Sequence, residues 1–249
     1  MILQIRFRVL DSFYSDFLHN YESLASCRPL WRLINTTLVA PKRLGHSHCT
    51  TVAKTMRCFK SWIFRLQHRV TDHAIQFLSK IIDAKLLQDV VFVTIFFGAN
   101  DAVLPECYTK QHVPVDRYQT NLVKIVEHFQ SLGITSEKII LIAPPPVDAE
   151  LRAKDLLESG DKPCLDRIND ATIEYAKACV KVANSKKCRV IDLFTLMINK
   201  HLPTYLHDGL HFSDEGNSLL ASELSTHVEE LTKELDVNLP DWKDLCGVE

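Results

Sequence analysis

From residue 86 onward the chain alternates between two hydrophobic periods. Val90-Val91-Phe92-Val93-Thr94-Ile95-Phe96-Phe97 is β-branched and aromatic, the pattern of a parallel strand buried on both faces. It runs into Gly98-Ala99-Asn100-Asp101, which predicts a turn. Tyr118, Leu122, Ile125, Val126 and Phe129 then fall on one helical stripe, with Asp116 as its expected cap and Gly133 as its stop. Lys138 to Ala143 reads as a second buried strand, ended by Pro144-Pro145-Pro146. Ile168, Ala171, Ile173, Tyr175, Ala176, Cys179 and Val182 predict a long helix, and Arg189 to Leu193 a third strand. Leu220, Leu224, Val228, Leu231 and Leu235 predict a last helix that opens at Ser213, with Asp214 and Glu215 at its positive end. Strand and helix alternate, which argues for a parallel sheet with helices on both faces.

The front third reads differently. Ile2 to Leu10 alternates loosely like a strand, and Ile63, Leu66, Val70, Ile75, Leu78 and Ile81 predict a helix within Ser61 to Leu87. The stretch between has mixed signals, and there is no internal repeat. Charge divides the chain at the same place. Residues 1–85 hold 13 Lys/Arg against 5 Asp/Glu, and the remainder 16 against 26, with no acidic residue between Glu22 and Asp72. The expected organisation is therefore an atypical basic N-terminal segment over 1–85 and an α/β domain over 86–249. The basic residues are scattered and form no nucleic-acid-binding motif, so no nucleic-acid partner is expected.

Composition narrows the class. The chain has 249 residues, 46% of them hydrophobic and 24% charged, with 7 Gly and 10 Pro, which excludes disorder for most of its length. No apolar run reaches the ~18 residues of a membrane helix, so no membrane span is expected. Eight cysteines are spread thinly and none sits at C-x-x-C spacing, the pattern of reduced thiols in a core. His46-Ser47-His48-Cys49 has no matching second ligand pair, so no metal is expected there. The start lacks a clean secretory signal, which favours a cytoplasmic chain, with a mitochondrial one as the alternative.

Two motifs stand at strand ends, where open α/β sheets bind ligands. Asp208 and His211, three residues apart, can share one turn of chain. A carboxylate on one imidazole nitrogen fixes the tautomer and leaves the other nitrogen as a general base. The plainer reading is a capping loop in a chain with 11 His. Asn100 follows a buried strand after a glycine, where its carboxamide N–H can meet an oxyanion. The plainer reading of Asn100-Asp101 is a turn that satisfies its own backbone.

Ile95-Phe96-Phe97-Gly98-Ala99-Asn100-Asp101 resembles the third conserved block of the SGNH (GDSL) hydrolases. Asp208-Gly209-Leu210-His211-Phe212-Ser213, with Gly216-Asn217 beyond, resembles their fifth block. Between and after these, Lys110-Gln111-His112-Val113-Pro114, Ile140-Leu141-Ile142-Ala143-Pro144-Pro145-Pro146 and Leu239-Pro240-Asp241-Trp242 resemble the isoamyl-acetate-hydrolysing esterases. The resemblance implies a flavodoxin-like three-layer α/β/α sandwich that hydrolyses small esters without metal or organic cofactor. By family role His211 is the base, Asp208 its orienting partner and Asn100 an oxyanion donor.

The same resemblance implies a nucleophilic Ser in a Gly-Asp-Ser block after the first strand, and a glycine N–H from the second block. No Gly-Asp-Ser occurs in the chain. Its nearest phrase is Val9-Leu10-Asp11-Ser12-Phe13, which makes Ser12 the candidate nucleophile, with Leu10 crowding the turn where glycine belongs. The single glycine before residue 98 is Gly45, with no motif around it. The first-strand region is therefore expected to be atypical or missing. The expected function is a small-ester hydrolase with doubtful activity as written; the alternative is a non-catalytic pseudoenzyme or binding protein on the same fold.

Overall fold

A computed structural model of the chain describes residues 3–7, 60–64, 70–84, 87, 90–107, 110–158 and 166–235. The described strands are β1 (Leu3–Phe7), β2 (Lys60–Phe64), β3 (Val90–Phe96), β4 (Ile139–Ala143) and β5 (Arg189–Asp192). The described helices are α1 (Thr71–Ile81), α2 (Val115–Ser131), α3 (Ala149–Glu158), α4 (Asn169–Lys186), α5 (Leu193–Met197), α6 (Leu202–Tyr205) and α7 (Asp214–Thr232).

The strands form one sheet in the order β2-β1-β3-β4-β5. β3, β4 and β5 are parallel, with Phe96 opposite Ile142 and Ala143 opposite Asp192. Each crossover carries a helix, as parallel neighbours require. Side chains point alternately to the two faces of a strand, and the core splits accordingly. Val93, Ile95, Ile139 and Leu141 pack with residues of α1, α2 and α4, including Leu78, Ile125, Phe129 and Val182. Phe92, Ile140, Ile142 and Ile191 face the other way, onto Leu220, Leu224 and Val228 of α7 and Met197 of α5. The molecule is the expected α/β/α sandwich.

The front of the sheet is where the architecture departs from a purely parallel one. β1 pairs antiparallel with both β2 and β3, and its last residue, Phe7, lies opposite Val90 at the amino end of β3. The expected helix between Ser61 and Leu87 is corrected in its first part. Residues 60–64 form β2 and helix begins only at Thr71. Trp62, Ile63 and Phe64 are strand-forming residue types, so intrinsic preference outweighs a helical spacing there.

Two helix starts are also instructive. α2 begins one residue before the expected cap: Pro114 precedes Val115, and Asp116 sits inside the first turn. Proline's fixed φ and missing N–H suit a helix entrance. The first turn of α1 takes its acceptor from outside, because the Thr71 N–H and hydroxyl both donate to Asp101 Oδ1, at 2.9 and 2.6 Å. That contact ties α1 to the turn after β3. At the strand end, the buried Tyr118 hydroxyl donates to the Phe97 carbonyl at 3.1 Å.

Candidate active site

The carboxyl edge of β3 and β4 gathers the polar groups. Gly98 follows β3 at φ +118, and a Cβ there would lie 2.8 Å from Pro144 Cγ. Only glycine allows the β3 turn and the proline run after β4 to touch this closely. Asn100 is in that turn, whose closure includes the Ala102 N–H donating to the Gly98 carbonyl at 2.8 Å.

Asp208 and His211 come from the loop between α6 and α7. Leu206 and Phe212 bridge its ends, and the His207 N–H donates to the His211 carbonyl at 3.0 Å. Gly209 sits in this loop at φ +81, with its carbonyl accepting the Asp148 N–H at 2.9 Å. A Cβ on Gly209 would lie 2.4 Å from the Asp148 carbonyl oxygen. The loop is thereby held against the start of α3, just beyond β4. Phe212 stacks on Phe96 at the end of β3, with ring centroids 6.3 Å apart. Since β3 and β4 are parallel neighbours, these contacts bring Asn100, Asp208 and His211 to one edge of the sheet.

Within the loop, Asp208 has two separate tasks. Its Oδ1 accepts the backbone N–H groups of Leu210 and His211, at 2.9 and 2.7 Å, which folds the chain back on itself. Its Oδ2 lies 2.5 Å from His211 Nδ1. Burial pushes the Asp208 carboxyl upward, but the His211 ring and the two N–H donors together outweigh it and hold the group well below the usual carboxylate range. An ionised carboxylate only accepts, so the ring faces it with an Nδ1–H, and in the neutral tautomer that this favours the lone pair is on Nε2. The His211 side chain is 61% exposed, so that lone pair is open to an arriving molecule. His207 joins these two in a cluster whose ligand atoms lie within 4.8 Å of one another. The 2.5 Å approach of Asp208 to His211 is a hydrogen-bond separation, too short for two ligands spread around one ion at ~2 Å each.

Behind this pair lies an ionic cluster that the sequence reading missed. Asp166 and Arg167 are each 4% exposed and are paired with one another. Arg167 Nε donates to the Ala99 carbonyl at 2.7 Å, and Nη2 donates to Asn100 Oδ1 at 3.2 Å. Burial lowers the Arg167 pKa, and the Asp166 carboxylate opposes that shift. Arg152 stands between the halves, with Nη2 3.5 Å from Asp166 Oδ2 and Nη1 3.8 Å from Asp208 Oδ2.

Ser12, Gly45 and the His46 to Cys49 run lie outside the described residues. Among the described thiols, burial pushes Cys179 up to about 12 and Cys188 up to about 11, which makes both poor nucleophiles near neutral pH. No helix among the described residues is long and apolar enough to cross a membrane.

The sequence model of GDSL-like lipases and acylhydrolases matches residues 61–224, from β2 well into α7. The chain belongs to the GDSL-like lipase/acylhydrolase family. Among GDSL relatives, a Rattus norvegicus isoamyl acetate-hydrolyzing esterase 1 homologue is 44% identical over 161 residues, 64% of this chain and 64% of that protein. The Homo sapiens homologue is 40% identical over 157 residues, covering 63% and 62%. An Arabidopsis thaliana GDSL esterase/lipase is 38% identical over 161 residues, covering 61% and 66%. The match spans under two thirds of the length of the first of these relatives. A lipase/acylhydrolase structure from Enterococcus faecalis superposes with a TM-score of 0.51 at 28% identity, covering 70% of this chain and 75% of that one.

Proposed function

We propose that this GDSL-family chain carries the general base and one oxyanion donor of an acyl-serine esterase for small, acetate-type esters, and that its turnover as written is weak. The observation that carries the reading is the Asp208–His211 contact of 2.5 Å on the sheet edge that also bears Asn100. The names of the subgroup relatives support the substrate class.

In the proposed cycle a serine hydroxyl attacks the ester carbonyl while His211 Nε2 takes its proton. Asp208 holds the ring and steadies the imidazolium. Asn100 donates its carboxamide N–H to the tetrahedral oxyanion, a contact worth ~10²–10³ in rate. The proton then passes from His211 to the leaving alcohol, and water repeats the sequence on the acyl-serine. Weak turnover follows from the sequence, which holds no Gly-Asp-Ser, and whose nearest serine, Ser12, has Leu10 two residues before it. The runner-up, a binding protein without chemistry, shares every residue except the nucleophile.

Hydrolysis of a short-chain acetate ester by the purified chain decides between them. A slow rate abolished by His211→Ala supports the proposal. A rate independent of His211 would overturn it in favour of the binding protein. Robust turnover lost in both Ser12→Ala and His211→Ala would overturn the weak-turnover part and make Ser12 the nucleophile.

A further inference from the structure

Two arginines, Arg167 buried and Arg152 half-buried, have no task in that cycle, yet one of them touches a residue that does. An arginine offers five N–H donors and no acceptor. The Asn100 atom facing Arg167 Nη2 at 3.2 Å is therefore the carboxamide oxygen. The opposite rotamer would set N–H against N–H in a site where Arg167 is 4% exposed and water cannot relieve the clash. The guanidinium itself cannot swing, because Nε is bonded to the Ala99 carbonyl, in the same turn as Asn100, and Nη1 is paired with Asp166. Its planar fork thus reads the side chain and the backbone of one turn at once. Asp166 is held in turn by Arg152, whose other terminal nitrogen lies 3.8 Å from Asp208.

We propose that Arg167 is the positioning residue of the oxyanion donor: it grips Asn100 by its carboxamide oxygen, turning the N–H₂ away from itself toward the substrate side, and Asp166 with Arg152 sets that grip in register with the Asp208–His211 pair. This inference rests on Asn100 acting as the oxyanion donor. A donor fixed before the charge develops needs no reorganisation during reaction, which is where its advantage lies.

The test compares the unsubstituted chain with Arg167→Met, Arg167→Lys, Asn100→Ala and the Arg167→Met/Asn100→Ala double variant. With a short-chain acetate ester, Arg167→Met is expected to lower kcat ~10- to 100-fold with KM within about twofold. Arg167→Lys should lose nearly as much, since an ammonium lacks the fork. In the Asn100→Ala background, Arg167→Met should remove no more than about a further twofold, because the residue it positions is gone. Equal losses in the two backgrounds would overturn the proposal. Where turnover is too slow to resolve, the Asn100 side-chain amide signals in a ¹⁵N spectrum, identified by their loss in Asn100→Ala, give a second readout. They should shift and exchange faster with water in both Arg167 variants, while backbone signals of α7 stay in place. Unmoved signals would overturn the grip whether or not ester is hydrolysed. Moved signals with no hydrolysis by the unsubstituted chain would retain the grip and sink the esterase reading. Should Arg167→Met fail to fold for want of a partner for Asp166, Arg167→Lys keeps the charge and carries both readouts.

Discussion

At the scale of single residues, the chemistry of this site lies in how one carboxylate is divided. Asp208 Oδ1 builds the turn and Oδ2 holds the imidazole. Asp208→Asn keeps an acceptor for the backbone but can turn an N–H toward His211, which favours the wrong tautomer. Ester turnover should then fall at least ~10²-fold, with the fold retained near neutral pH. The pH dependence of stability separates the two roles. The folded-state pKa of Asp208 lies below its ordinary value of 3.8, so the ionised group contributes stability above that pH. The contribution drains away as pH falls below 3.8 toward the lowered folded value. Urea midpoints measured across acid pH should show this loss in the native chain and less of it in Asp208→Asn; parallel profiles would contradict the assignment. The pair was legible in the sequence because its geometry is local, three residues within one turn. Arg167 was not, because its contacts to Ala99 and Asn100 span 68 and 67 residues, and an Asp-Arg pair before a helix carries no periodic signal.

At the scale of elements, two tertiary contacts set the edge on which the site stands. The first is the Gly209 turn, packed on the start of α3. Gly209→Ala must accommodate both a left-handed φ and a Cβ driven into the Asp148 carbonyl. A cost of about 2–3 kcal/mol is expected, read as a lower urea midpoint. Activity should fall with it, because the displaced residues adjoin Asp208. Unchanged stability would mean that the loop does not seat as described. The second is the Asp101 carboxylate at the first turn of α1. Burial, partly offset by the Thr71 hydroxyl and N–H, raises its pKa to about 6. The folded state therefore holds this proton more tightly than the unfolded one, so the group's contribution is greatest below pH 3.8. It declines as pH rises through about 6. Asp101→Asn presents an oxygen to Thr71 without the charge, and its stability relative to the native chain should improve by about 2 kcal/mol between pH 4 and pH 8. A relative change of the opposite sign would show that the carboxylate is welcome in that position. The elements themselves were legible where apolar period and length agreed, as in β3, β4, α2, α4 and α7. They were less so over 61–87, where a helical spacing of apolar residues also contains Trp62, Ile63 and Phe64, and short-range preference won.

At the scale of the whole molecule, the sheet separates what this chain offers from what it lacks. The α/β/α layering was readable because β3 and β4 are apolar on both faces, and such strands require helices on both sides. The direction of β1 was not readable, since alternation in Ile2 to Leu10 says nothing about which way a strand runs. β1 runs antiparallel to β3, with Phe7 beside Val90 at the amino end, whereas Asn100 follows the carboxyl end. β1 thus ends at the sheet edge opposite Asn100, and in the sequence Leu10 stands where a Gly-Asp-Ser turn needs glycine. We therefore expect Ser12→Ala to leave the weak ester hydrolysis unchanged within twofold. A fluorophosphonate probe, which reports an activated serine, should label the native chain and Ser12→Ala to the same slight extent. Strong labelling that disappears with Ser12→Ala would overturn this expectation and make Ser12 the nucleophile.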